Sequence, residues 1–534
     1  TKKKRWWPGW LPGTKKTSQS TQEIHHHHSA NTNTKSEIIV LDASRIGNGS
    51  SGRAKGLVVP GFQVPLENLQ ENASDNASST AASSWTVPAI IQWLSHSPRY
   101  TKAVVEEMYD LSYGAMDRLR DIVSKYEIDC DWVESGAVEG GIHTLEDEEE
   151  EEDGCQMLTW KEVNKIMGRP TISSSSSSSS RGSSDNDNRN LYKWGEYDPS
   201  CAGVNPLALT NGLADAAERW GVRIYEHARV AKLEKQQQTP TSPQRQQCAG
   251  EPPLGKYAIV IDDGRTVRCD QVVLCTGAEQ LSDDVSRRLK HSTVPVYTWM
   301  AATEPLGERC PLKDGVVDRV LSSSGSNGSA NTNDDNDVIG RPAPMCGDDH
   351  ISLNYWRRND DINEGRGKGR ILFGSLADTY PFPEWMVSWR LRSALAEVYP
   401  QLSQHTDDVR FDNVWGGKLA FALNAMPLVG RDSDYDDDHH AGNGVDGGGV
   451  WYATGFAGHG IVPTALAGSL LADAMLGNEH GERRLRLFQT YFPPASWNGY
   501  PFSRLGTGTV LLVYNAWDWM DKKGVPMPPL PKLW

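Results

Sequence analysis

The sequence predicts an α/β fold in which a three-layer, Rossmann-like domain is interleaved with a second domain built on an antiparallel sheet. Three stretches carry that prediction. Glu37 to Asp42 is a β-branched run, EIIVLD, apolar on both faces as a buried parallel strand is. Downstream of Asn205, helix, strand, hairpin and strand signals alternate as far as Gly277. Near the C-terminus VWYATGFAGHGIVPTALAGSLLADAMLG reads as a strand, a glycine-rich turn and a helix. Between them, ISLNYWRR and GRILFGS suit strands of an antiparallel layer.

Each element has a local cause. Thr101 to Tyr126 places Val104, Met108, Leu111, Ala115, Leu119 and Ile122 on one stripe at helical spacing, which predicts a long helix with a buried face. Asn205 and Pro206 take the cap and first-turn positions of the next helix. Leu209, Leu213, Ala216 and Trp220 form its expected buried face, and Gly221 stops it. The following strand, GVRIYEHARVAKLE, points Val222 and Ile224 inward and continues through Val230 and Leu233. KYAIVIDDGRTVRCDQVVLCTGA predicts a hairpin turning at Asp263-Gly264, then a buried strand from Val272 to Cys275. A helix is expected over Trp389 to Val398. In the last block Leu466, Leu470 and Ala474 form the inward face of a helix that Gly477 ends.

Segments rich in Ser, Asn, Asp, Gln and Gly interrupt these elements at Glu71 to Ser84, Leu145 to Gly154, Ile172 to Asn190, Lys235 to Lys256, Ser322 to Gly347 and Asp432 to Gly448. Such composition cannot bury enough apolar area to offset chain entropy, so surface loops are expected there. The organisation that follows has an irregular segment over 1–36 and a discontinuous Rossmann-like domain over 37–110, 195–293 and 413–480. A substrate or cap domain covers 111–194 and 294–412, and a C-terminal extension over 481–534 packs on the core.

The 534 residues suit two interleaved domains rather than one core, and the formal charge of −15 argues against a nucleic-acid surface, which needs clustered Lys and Arg. Mean hydropathy is −0.55, but the polar excess sits in the low-complexity blocks. Eight cysteines lie far apart without a CxxC pair, which points to neither a zinc site nor a disulfide framework, and a reducing compartment is the default. No apolar run approaches the ~20 residues that span a bilayer. The start, TKKKRWWPGWLPGTKK, lacks both Met and a signal-peptide core, so an incomplete or rewritten beginning and a cytoplasmic location are the expectations. EDEEEEED at Glu146 to Asp153 reads as a solvated loop, and His25 to His28 as a polar tract or a tag.

Asp42 ends its strand where a carboxylate can accept hydrogen bonds from a ribose hydroxyl, although an ordinary cap after a strand would look the same. GNGSSGR then offers small residues, Gly47, Gly49, Ser50, Ser51 and Gly52, whose backbone N–H groups can approach a pyrophosphate, with Arg53 adding charge. Gly455, Gly458 and Gly460 permit close backbone approach in TGFAGHG, and the helix after Ile461 aims its positive end at whatever lies in front, such as an anionic reduced flavin. His459 in that turn suits either a ligand contact or a structural bond to backbone.

Taken together, IIVLDASRIGNGSSGRAKGLV, GEYDPSCAGVNPLALTNGLADAAERWGVRIYEHARV, QVVLCTGA, GRILFGS, VWGGKLAFALNAMPLVGR and YATGFAGHGIVPTALAGSLLAD resemble, in order, the D-amino-acid-oxidase-like (DAO) family of FAD-dependent oxidoreductases, nearest its gamma-glutamylputrescine-oxidase-like branch. The resemblance implies a discontinuous FAD-binding domain. It places Asp42 at the adenosine ribose, Ser50, Ser51 and Arg53 on the pyrophosphate side, Lys55, Gly56 and Leu57 at the flavin edge, and Val230 at the adenine. Thr276 and Gly277 would line the cofactor, and Gly455, Gly458, His459, Gly460 and Ile461 would sit at the isoalloxazine. Tyr355, Arg357 and Trp415, with His459, become the catalytic and substrate-side candidates; an Arg there pairs bidentately with a carboxylate.

The implied reaction oxidises the C–N bond of an amine or amino acid by hydride transfer to flavin N5, with molecular oxygen as acceptor giving imine and hydrogen peroxide. No metal is implied. Two departures from the family pattern stand out. No strand–GxGxxG–helix unit precedes Ser36, and Ala422-Leu423-Asn424 replaces a Thr and acidic residue common in relatives. Competing expectations are therefore a relative or truncated chain that has lost FAD binding, and a flavin dehydrogenase passing electrons to a carrier.

Overall fold

A computed structural model describes residues 37–73, 98–142, 155–170, 191–236, 255–277, 281–324, 340–350, 353–360, 369–403, 409–435, 449–495 and 502–522. The N-terminal segment, with His25 to His28, the acidic run and most of the low-complexity segments lie outside the described residues.

The largest sheet runs from edge to edge through β16 (Phe411–Ala422), β12 (Thr293–Thr303), β15 (Arg370–Asp378), β14 (Tyr355–Asn359), β13 (Met345–Asp348), β3 (Ala137–Gly141), β5 (Trp194–Asp198) and β4 (Gln156–Thr159). Its neighbours are antiparallel except β13 with β3. The antiparallel layer expected around ISLNYWRR is therefore present, with one parallel junction.

The Rossmann-like strands fall into separate small sheets. β1 (Ile39–Leu41) is parallel to β7 (Arg223–Tyr225), and β11 (Gln271–Leu274) is parallel to β18 (Gly449–Thr454), whose other side holds β17 (Leu428–Arg431) antiparallel. β8 (Val230–Lys235), β9 (Tyr257–Ile261) and β10 (Thr266–Cys269) form an antiparallel meander, with Gly264 at φ 88° in the predicted turn. β2 (Leu57–Val58) and β6 (Ala202–Gly203) make a short antiparallel ribbon. The strand at Glu37 to Asp42 is not buried on both faces as its composition suggests. Ile38 is 59% and Val40 39% exposed, because β1 has β7 as its one partner among the described residues.

Helices follow their sequence causes. Lys102–Lys125 is capped by Thr101, whose side chain accepts from Val104 N, and buries Met108, Ala115 and Leu119. Pro206–Arg219 starts on Asn205, whose side chain accepts from Ala208 N. Of its expected buried face, Leu209 and Ala216 are inside, while Leu213 and Trp220 are 37% and 71% exposed. The helix ends before the core does, and the Trp220 indole instead donates to Tyr126 Oη at 2.8 Å. GVRIYEHARVAKLE is two strands, not one. His227 at φ 53° breaks it, and the two residues at the break, His227 and Ala228, donate their N–H groups to Ser44 O and Asp42 O.

One core joins Lys102–Lys125 with the helices Ile461–Met475 and Glu479–Tyr491 around Phe62, Met108 and Leu470. A second packs the large sheet against Glu384–Val398 around Trp356, Phe373 and Leu391. The β2–β6 ribbon lies where they meet, with Val58 and Ala202 in the first and its neighbours Ala137 and Met345 on the sheet side. Among the described residues no helix is long and apolar enough to cross a membrane.

Candidate functional site

β16 is the spine of the site. On one side it holds the loop after β1: Ser50 Oγ donates to Lys418 O, Arg53 Nη1 donates to Gly416 O at 3.1 Å, and Trp415 Nε1 donates to Arg53 O at 3.0 Å. The loop folds back tightly because Gly52 lacks a side chain; a Cβ there would stand 2.1 Å from Gly47 O. Further along the same free edge, opposite the one paired with β12, β16 holds TGFAGHG, through Ala457 N donating to Ala420 O at 3.0 Å and a bridge between Phe421 and Phe456.

That turn is shaped by positive φ at Gly455, Ala457 and Gly458, which brings Gly460 to the head of Ile461–Met475. The helix has no side-chain cap, so its first N–H groups and the positive end of its dipole are available to an anionic or electron-rich group. His459 is fixed by a 3.1 Å bond between Nε2 and Val59 O, just beyond β2, and loss of water holds its imidazole at about 4, neutral at pH 7.

β2 links this region to the large sheet. Lys55 and Gly56 precede it, Leu57 opens it, and β6 pairs it to Gly203. Lys55 Nζ donates to Cys346 O on β13 at 3.3 Å and stands 4.9 Å from the Tyr355 ring centroid on β14. Burial, with the Arg357 charge adding, lowers Lys55 to about 7. Tyr355 packs over Gly374 of β15, and burial raises its phenol. Arg357, two residues on and so on the same face, lies over Gly203: a Cβ there would sit 3.6 Å from Arg357 Nη1. It is 8% exposed, its side chain makes no hydrogen bond or ion pair with another described residue, and its Nε is buried without a partner among them. Loss of water lowers its pKa, and Asp131 supplies the opposing attraction.

The remaining predicted residues form a second group. Asp42 ends β1, with its N–H on Tyr225 O at 2.9 Å and its Oδ1 accepting Ser44 N at 2.7 Å. The bond from Ala228 N to its carbonyl brings Val230 at the start of β8 close behind. Thr276 and Gly277 follow β11. Thr276 O accepts from Thr454 Oγ1 at 2.8 Å, its own Oγ1 is buried without a partner, and Gly277 faces open space. Ser51 is exposed. Thus Ser50, Arg53 and Trp415 are joined to one another by β16, Lys55 to Tyr355 and Arg357, and His459 to the end of β2.

Sequence reasoning missed a buried network on the large sheet. Asp348 accepts from Asn354 Nδ2 at 3.0 Å and Tyr192 Oη at 3.2 Å and pairs with His350 at 2.9 Å; the His350 charge and these bonds hold the carboxyl below the usual range despite its burial. The signal was there as GDDH, polar residues closing a buried strand.

A glycine turn at a helix N-terminus without a side-chain cap, linked through His459 and β2 to the buried Lys55, suits an electron-rich, anionic cofactor. The FAD-dependent oxidoreductase (DAO) family pattern matches residues 28–474, and the chain belongs to that family. It is 25% identical to "Probable oxidoreductase OrdL" of Haemophilus influenzae over 90% of this chain and 86% of that one. It is 23% identical to "Gamma-glutamylputrescine oxidoreductase" of Escherichia coli over 88% of this chain and 85% of that one. The crystal structure of glycine oxidase from Geobacillus kaustophilus superposes with a TM-score of 0.48 at 16% identity, covering 83% of this chain and 89% of that one.

The protein is thus an FAD-dependent oxidoreductase. The residues present suit the flavin: the uncapped helix of TGFAGHG, the orphaned Thr276 Oγ1 and the open space at Gly277 are donors and room without a protein partner. The Arg53 guanidinium, expected on the pyrophosphate side, instead donates to Gly416 O and Asn48 Oδ1.

Proposed function

We propose that this protein oxidises the C–N bond of an amine bearing a carboxylate, an amino acid in the broad sense, with molecular oxygen as acceptor. The observation that carries this is Arg357, a buried guanidinium without a partner among the described residues, on the large sheet beside Lys55. An unpaired buried charge costs several kcal/mol, so a chain that keeps one gains from a ligand that neutralises it. A carboxylate does so in a two-bond fork that an ammonium cannot match.

FAD supplies the two-electron acceptor for the hydride. The chain's residues bind and orient. Arg357 takes the carboxylate, Tyr355 walls the site with its ring, and the β2–β6 ribbon closes off water behind Lys55. His459, neutral and held by Val59 O, keeps the TGFAGHG turn against β2 without placing a charge there. The N-terminus of Ile461–Met475 would supply partial positive charge to a flavin bound in front of it. Asp42 and the start of β8 suit the adenosine end. Within the family we favour the branch that acts on γ-glutamylated or related amines, on the motif order from Glu37 to Gly477, and the division into a discontinuous FAD domain and an interleaved sheet domain. Phosphate contact through the 47–53 loop completes the reading.

Protein loaded with FAD is mixed anaerobically with amino acids and with the corresponding amines that lack the carboxylate. Faster flavin bleaching by the carboxylate-bearing member of each pair, and peroxide on admitting oxygen, is the expected result. Bleaching by neither member would refute the assignment, and bleaching without peroxide would move it to a dehydrogenase.

A further inference from the structure

Lys55 is held where an ammonium does not belong. Gly56 after it has φ 84°, and a side chain there would stand 2.0 Å from Val204 O, so the backbone is pressed against the strand beside it. Val204 N donates back to Gly56 O at 2.8 Å. Lys55 is 7% exposed, and among the described residues its Nζ makes one hydrogen bond, to Cys346 O, and no ion pair. An ammonium has three donors, so the protein satisfies a third of its capacity.

The groups that face it are Cys346 on β13, Tyr355 and Arg357 on β14, Cys201 just before β6, and Glu139 on β3. Burial pushes the Cys346 thiol up to about 12 and the Cys201 thiol well above its usual value, so both stay protonated at pH 7. Tyr355 keeps its proton for the same reason. Glu139 pulls Lys55 toward the charged form more weakly than Arg357 pushes it away. Lys55 is therefore lowered to about 7, first by loss of water, and half its population is a neutral amine at neutral pH.

We propose that Lys55 accepts the proton that a substrate ammonium must lose before its C–H bond can break, while Arg357 holds the carboxylate of the same molecule. This rests on reading the site as amine-oxidising. The substrate N–H bond breaks, its electron pair remains on the substrate nitrogen, and the proton bonds to the Nζ lone pair; nothing is oxidised or reduced in the step. Of the groups clustered here, the thiols and the phenol hold their protons, and the His459 ring is engaged with Val59 O. Set against those thiols, phenol and imidazole, Lys55 combines an available lone pair with unfilled hydrogen-bonding capacity, and a base matched to the working pH is worth about 10²- to 10⁴-fold in rate.

The test is the pH dependence of anaerobic flavin reduction by saturating glycine, L-proline and L-glutamate, whichever reduces the wild type, in wild type, Lys55→Met and Lys55→Arg. Wild type should reach its plateau near pH 7. Both variants should lose about 10²-fold at pH 7 and recover as pH approaches the amine's own pKa. Lys55→Arg keeps the positive charge and controls for folding, with flavin absorbance as the check on loading.

A readout independent of turnover is competitive labelling with acetic anhydride across pH, followed by mass spectrometry of the Lys55 peptide, in which half-maximal reactivity should fall near 7. An unchanged pH profile in the variants, or a half-point near 10, would overturn the role of Lys55. Failure of all three amino acids to reduce a loaded wild type would instead overturn the amine-oxidising reading.

Discussion

Replacing Arg357 by Met should make the cofactor-free protein more stable and its substrate binding far worse. The guanidinium is 8% exposed and has an orphaned Nε, and no carboxylate pairs with it. Burying an ion without a partner carries an effective penalty of several kcal/mol, and well-packed apolar replacements of buried charges are often stabilising by about 1–4 kcal/mol. Met keeps the unbranched stem and a flexible apolar end, which limits the cavity left where the guanidinium lay over Gly203 beside Met345.

A net gain of about 2 kcal/mol is expected, which raises the melting temperature by roughly 4–8 °C for a domain of ordinary size. Differential scanning calorimetry of apo wild type and R357M measures it directly. With an amino-acid substrate the same variant should raise KM about 10²-fold or more with a smaller change in kcat, the pattern of lost uniform binding. Destabilisation by more than about 1 kcal/mol would show that Arg357 is a structural residue with a partner, and the carboxylate assignment would fall with it.

Other expectations follow from single contacts. Because His459 is held at about 4 against an unfolded value near 6.5, the unfolded chain binds more protons between those values. Stability should therefore fall as pH drops from about 6.5 to 4, by on the order of 2 kcal/mol once partial exposure of the ring is allowed for, and His459→Gln should flatten that slope in urea unfolding. Gly56→Ala should cost about 2 kcal/mol or more, from both the positive φ and the 2.0 Å approach to Val204 O, read as a lowered urea midpoint. Trp415→Phe removes the bond to Arg53 O that ties the loop to β16, and FAD titration followed by fluorescence should show affinity weakened by roughly 5- to 10-fold.

Much of the fold was legible because periodicity and caps are local signals. Thr101 and Asn205 cap their helices as their residue types suggest, and Asp263-Gly264 turns its hairpin through a glycine at positive φ. What escaped was set by neighbours. The apolar run at Ile38 and Val40 looks buried in sequence, yet how far a strand is covered depends on how many partners it has, which its own residues do not state. Trp220 looks like core by spacing and is an exposed hydrogen-bonding cap because its helix has already ended.

At the site, the glycines of TGFAGHG announced a close approach, and the structure gives Gly455 and Gly458 left-handed backbone and the following helix an end without a side-chain cap. The proximity of Lys55 to Arg357 was not readable, since the residues lie some three hundred positions apart and meet through the pairing of β2 with β6. Nor was the use of Ser50 and Arg53 to bind β16, because a serine-glycine-arginine loop has the same composition whether it faces a phosphate or a strand.

The central claim is that this arrangement holds FAD and lets an amino acid reduce it. The direct measurement is the visible spectrum of the purified protein after incubation with FAD and removal of free cofactor, before and after anaerobic addition of an amino acid. A retained flavin band that bleaches on addition is predicted. A protein that keeps its fold but retains no flavin, or a bound flavin that no amino acid or amine bleaches, would contradict the account.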